Sequence, residues 1–209
     1  MRSAIATLML LALAGCGAAR DHGAERKAEP ARLTLEQAID ASFRTRGQAG
    51  LERLKQSDMQ RICSTERPEQ LAPEVRRALQ AEAIATVRYP EDGRWLGDWR
   101  RGEAIAQAGT GLQYSDRPDA EHGGGCYGCH RLSGEEIAYG TIGPSLYRYL
   151  ERNGGGPDSL QKTWARLWNG HAFTACTAMP RFGDAGILTP EQLRDVMALL
   201  LDPQSPVNR

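Results

Sequence analysis

The stretch that decides the reading is CYGCH, Cys126 to His130. It holds two of the chain's five cysteines and one of its four histidines. C-x-x-C-H is the attachment pattern of c-type haem. Two thiols add to the porphyrin vinyl groups, and the adjacent imidazole reaches the iron from the same side. A two-residue gap lets one turn of backbone present all three groups together. A structural zinc site would want a fourth ligand, often from a second C-x-x-C, and the chain has none. A thioredoxin-like dithiol would sit in a βαβ context, and no strand pattern stands out.

Working outward, iron held by His130 calls for a second axial ligand. Met59 falls on an amphipathic helical pattern and Met197 on the apolar stripe of the last helix, so both read as core. Met179 lies in the loop CTAMPRFG, beside Pro180 and far enough past His130 to return over the other haem face. A thioether there raises the potential and suits electron transfer. His171 and Cys176 are its competitors. An axial histidine usually donates its second N–H to a carbonyl. The Pro144 carbonyl in TIGPSL is the expected acceptor; a plain Gly-Pro turn is the alternative.

The N-terminus reads as an export signal. Arg2 precedes an uncharged apolar run, AIATLMLLALA (Ala4 to Ala14), too short to span a bilayer. It ends in LAGC, Leu13 to Cys16, which matches the lipoprotein cleavage pattern. We expect residues 1–15 to be a leader, Cys16 the lipid site, and 16–32 a polar tether. The expected location is the periplasm, on a membrane by its lipid. Disulfides persist in that compartment. Cys63 and Cys176 remain as an even pair, expected to bridge; two buried free thiols are the alternative reading. The 26 basic and 26 acidic residues balance. That gives no argument for a nucleic-acid partner.

Helical periodicity is expected at 34–46, with Thr34 and Gln37 as caps, and at 49–63, 73–87, 98–108 and 189–201. The domain reading is a helical extension over 33–90 and a haem domain over 91–209. The class is all-α.

The order of helix, C-x-x-C-H, Gly-Pro-x-Leu, methionine loop and final helix resembles class I cytochromes c. In that family the first and last helices cross beside one covalent haem c. A narrower resemblance is carried by IAYGTIGPSL, by NGHAFTACTAMPRFGDAGILTPEQLRDVMALLLDPQSPVN and by MQRICS. These strings are similar to the X subunits of the thiosulfate-oxidising SoxAX cytochromes. The resemblance implies a heterodimer with an A-type cytochrome, which carries the catalytic haem. That pair couples thiosulfate to a cysteine of the SoxYZ carrier. Two electrons then pass to a small cytochrome c. The implied role of Cys126, Cys129, His130, Met179 and Pro144 is to hold the electron-transfer haem. The anchor and long extension depart from the simplest X subunits. A stand-alone tethered carrier is the alternative.

Overall fold

The computed structural model describes residues 33–65 and 67–209. The expected leader, the lipid site Cys16 and the tether over 16–32 lie outside the described residues. Among the described residues there is no strand, only an isolated bridge between Arg46 and Ala49. No helix there is long and apolar enough to cross a membrane.

The first helix, α1 (Leu35–Ser42), belongs to a separate unit. Its start is a reciprocal cap. Gln37 N–H donates to Thr34 Oγ1 at 3.2 Å, and Thr34 N–H donates to Gln37 Oε1 at 2.9 Å. The helix ends sooner than its expected 46.

Residues Phe43–Arg209 form one compact unit. The expected helix over 49–63 is not continuous there. A 3-10 turn covers Leu51–Leu54, and α2 (Asp58–Thr65) begins anew. The break has a local cause: Ser57 and Gln60 form their own capping box, at 3.2 and 2.8 Å. Such a box satisfies the donors that begin a helix, so it restarts one. Then come α3 (Pro73–Ala85), with proline in its first turn, and α4 (Trp99–Gln107). Asp98 caps α4 by accepting from Arg100 N–H at 2.9 Å.

Two helices arise where none was expected, α5 (Tyr149–Asn153) and α6 (Pro157–Trp168). α6 buries Thr163, Trp164, Leu167 and Trp168. Positions 160, 163, 164, 167 and 168 carry the one-face spacing of a helix, which the preceding glycine run obscured. The final helix, α7 (Pro190–Leu201), opens on a capping box between Thr189 and Gln192.

α7 crosses α4 at very short range. A Cβ on Gly102 would lie 2.1 Å from the Asp195 carbonyl oxygen and 3.0 Å from Leu199 Cβ. Only glycine permits that approach. The buried Asp195 carboxylate locks the crossing. It accepts from Asp98 N–H at 2.7 Å and from Arg101 through two bonds of 2.9 Å. The expected α7 stripe widens to Val196 through Leu201, all buried. Ile105, Trp164, Trp168 and Val207 share this core. Asn208 closes the far end, donating to Leu200 O at 3.0 Å and Asp202 O at 2.8 Å.

A second, smaller cluster holds Leu71, Leu79 and Ala175, with Met59, Ile62 and Cys176 against it. Here Cys63 of α2 is joined to Cys176 by a disulfide across 113 positions of sequence.

Candidate haem site

The CYGCH segment is delivered by the end of α4. Three consecutive amides bond back to that helix and the turn beyond it. Gly123 N–H donates to Thr110 O, Gly124 N–H to Ile105 O and Gly125 N–H to Ala108 O, at 2.7–2.8 Å. A Cβ on Gly123 would stand 1.9 Å from Ala108 O, and Gly125 takes a left-handed φ of +59°. The glycines of HGGG are therefore what bring the backbone this close. Just upstream, His122 Nδ1 bonds Ile187 O at 2.9 Å, and Gln192 donates to His122 O at 3.0 Å. The start of α7 thus also fixes the segment.

Cys126–Gly128 form a single 3-10 turn. Cys129 and His130 N–H both donate to Cys126 O, at 3.1 and 2.9 Å. Both thiols of the motif are free. Burial pushes the Cys126 thiol up to about 11. A dithiol shuttle needs the opposite shift, since the thiolate is the reactive form. No group of three or more His, Cys, Asp or Glu side chains able to hold a metal ion exists among the described residues. A buried Cys126 thiol is unlike the reactive thiolate of a dithiol shuttle.

His130 is held on two sides. Its Nδ1 lies 2.6 Å from Pro144 O. A carbonyl can only accept, so Nδ1 carries the proton and Nε2 presents a lone pair. Gly143 N–H donates to Cys129 O at 2.8 Å and draws that loop across the motif. A Cβ on Gly143 would fall 2.2 Å from the imidazole Cε1. The ring therefore rests in a cradle that only a glycine leaves open.

Met179 sits on the loop between α6 and α7, half-buried against the main core. Its N–H donates to Thr177 Oγ1 at 3.2 Å. Gly170 packs on this side chain, and a Cβ there would be 3.4 Å from the Met179 sulfur. Met197 is a core residue with 0% exposure, and Met59 is partly buried against the smaller cluster. Cys176 is committed to its disulfide and leaves the set of iron ligands. His171 borders two adjoining cavities of about 170 and 380 Å³, both of which also reach Gln60 and Arg181. Burial, then the Arg181 charge, holds its imidazole below the ordinary range.

A haem fits these residues. The motif offers two free thiols and an oriented imidazole nitrogen. On α6 the Trp168 indole N–H is buried without any partner. Such an orphan donor is unusual in a packed interior and suits an acceptor that a bound cofactor supplies. Neither Gly143 nor Trp168 is apparent from the sequence reading. Gly143 stands within TIGPSL, where the neighbouring proline drew attention; Trp168 had no signal beyond its position on the α6 face.

Thus Cys126, Cys129, His130 and Pro144 come together in one place, Cys63 and Cys176 in another, and Met179 lies on the loop that leads away from the disulfide. The sequence profile described as cytochrome c matches residues 90–202. An uncharacterized lipoprotein of Aquifex aeolicus (strain VF5) is 40% identical over 158 residues, covering 74% of this chain and 73% of that protein.

Proposed function

The chain belongs to the cytochrome c family, and from that premise we propose that it is the electron-transfer X subunit of a SoxAX thiosulfate-oxidising pair. Family membership makes it an electron-transfer protein with covalently held haem c. In this reading it carries one haem, because the sequence has one C-x-x-C-H. Cys126 and Cys129 would hold the macrocycle, and His130 Nε2 and Met179 Sδ would be the ligands to its iron. The bound haem supplies a reversible one-electron couple. The protein orients the imidazole through the Pro144 carbonyl and shields the site with the core around Trp168. The observation that carries the haem assignment is the 2.6 Å bond from His130 to Pro144, which leaves Nε2 free.

The SoxAX reading rests on the resemblance over most of Ile137 to Asn208, which exceeds what haem binding requires. The catalytic centre then lies on an A-type partner. There the thiosulfate sulfur bonds to the SoxYZ cysteine sulfur, a proton is released, and two electrons leave one at a time. This chain passes them to a small cytochrome c. An exported lipoprotein anchored at Cys16 and facing the periplasm is consistent with its Aquifex relative being a lipoprotein. Co-purification tests the assignment. Affinity capture of this chain from its own organism should bring an A-type cytochrome in equal amount. Capture of the chain alone, with its haem, would instead support the stand-alone carrier.

Met179→Ala should keep covalent haem and lower its midpoint potential. A thioether favours the reduced iron. Each tenfold loss of that preference lowers a one-electron potential by about 59 mV. A drop of about 120 mV corresponds to two decades, and spectroelectrochemical titration would resolve it. An unchanged potential would move the ligand role to another residue, with His171 the first to test.

A further inference from the structure

The cytochrome c match begins at residue 90, so it leaves the preceding stretch from Phe43 without a role. That stretch bonds to both segments that carry the proposed iron ligands. On one side it meets the loop leading into CYGCH. Gln48 donates to Gln113 O at 3.1 Å and Asp116 O at 3.3 Å. Arg53 donates to Leu112 O. The Arg46 guanidinium lies 4.4 Å from the centre of the Tyr114 ring.

On the other side it meets the methionine loop. Gln80 of α3 donates to Phe173 O at 2.8 Å, and Asn169 donates to Thr86 Oγ1 at 3.1 Å. Leu71 and Leu79 close over Ala175. The disulfide from Cys63 then fixes Cys176, three positions before Met179. Cys176 has φ of +61°, left-handed and unfavourable for a residue with a side chain. Such a conformation persists where the surroundings impose it. Between α6 and α7 the loop's own regular structure is limited to the turn Gly170–Ala172. At Met179 the loop is therefore tied both by the Thr177 hydroxyl within it and by these contacts from outside.

We propose that residues 43–89 are a clasp that positions Met179, with the Cys63–Cys176 disulfide as its fixed point and Gln80 as its second tie. This rests on Met179 being the axial ligand. The clasp holds the loop closed, so the thioether stays on the iron and competing ligands are kept out. Cys63 and Gln80 are positioning residues, acting through the loop alone.

The test uses full-length holoprotein with Cys63→Ala and Cys176→Ala combined. Covalent haem, measured after denaturation, should match the unaltered protein. Imidazole should capture the ferric iron about tenfold faster or more, because capture needs local opening of the loop. The methionine-to-iron charge-transfer band should weaken, and the midpoint potential should fall. Gln80→Leu keeps the disulfide and protects against a folding failure; it should speed imidazole capture about threefold, as expected from loss of one partly buried hydrogen bond. Imidazole rates equal to the unaltered protein's in both variants, even with lower melting temperatures, would overturn the clasp and leave Met179 as ligand. Absence of the charge-transfer band from the unaltered protein would overturn the Met179 assignment and the clasp with it.

Discussion

Gly102→Leu should leave little soluble, folded protein, and Gly102→Ala should already lower the melting temperature. The reason lies at the crossing of α4 and α7. The added Cβ would meet the Asp195 carbonyl oxygen at 2.1 Å and its carbon at 2.6 Å. Those are backbone atoms of a helix interior, which cannot rotate away as a side-chain tip can. α7 would have to translate. It carries Leu193, Val196, Met197, Leu199 and Leu200, all within 4% exposure, so translation opens the main core along its length. Overpacking a close contact costs about 1–3 kcal/mol and sometimes more. Net stability of a domain is only about 5–15 kcal/mol. A shift of α7 would also strain the Asp195 bonds to Arg101 and Asp98 N–H, adding the cost of loosening a buried carboxylate. Alanine is worth about 1 kcal/mol over glycine in a helix interior. In Gly102→Ala that gain opposes the clash without matching it. Circular dichroism melts of the two variants give the answer. An alanine variant as stable as the unaltered protein would refute the close crossing.

This crossing also shows where sequence reading stops. The start of α7 was legible because Thr189 and Pro190 are local signals within one turn. Asp98 was equally legible as the start of α4. Both assignments need only neighbours in sequence. Gly102 gives no local signal within its helix, and its necessity depends on a carbonyl 93 positions away. Asp195 carries no local sign of burial, yet it is buried with three donors upon it. The discontinuity at Ser57 is a different kind of miss. Its capping box with Gln60 was visible, but the apolar spacing of Leu51, Leu54, Met59 and Ile62 suggested one long helix. α6 was lost behind Gly154 to Gly156, which read as loop although Pro157 is a proper first-turn residue. At the site, the turn of CYGCH and the Pro144 carbonyl were accessible because motif and acceptor are close in sequence. The bridge between Cys63 and Cys176 followed from cysteine count and compartment, without any knowledge of distance. What brings α2 to the methionine loop is the cluster of Leu71, Leu79 and Ala175. Three scattered apolar residues give no pairwise signal in a single sequence.

His130→Ala should reduce mature, haem-loaded protein on the order of tenfold or more. Loss of an outer partner of a metal ligand already costs about 10–100-fold in metal affinity, and here the proposed ligand itself is removed. The two thiols remain in place, since the Cys126 turn is made by backbone bonds that alanine at 130 preserves. Any haem that attaches would therefore do so without the imidazole that orders its face. The change also leaves Pro144 O without its donor and opens a gap beside Gly143, where the ring had filled the cradle. Covalent haem per polypeptide, measured on denaturing gels, reports the loss directly. Pro144→Ala is the informative control. It retains a backbone carbonyl at the same position, so the hydrogen bond to Nδ1 can persist and haem loading should stay near normal. Near-normal loading in His130→Ala as well would show that thiol capture alone secures the haem. The bond to Pro144 would then serve only to set the iron's electronic environment after attachment. A fall in loading confined to His130→Ala instead makes the imidazole a condition of assembly. The 2.6 Å bond then matters before any electron moves, because it presents Nε2 while the thiols are still free.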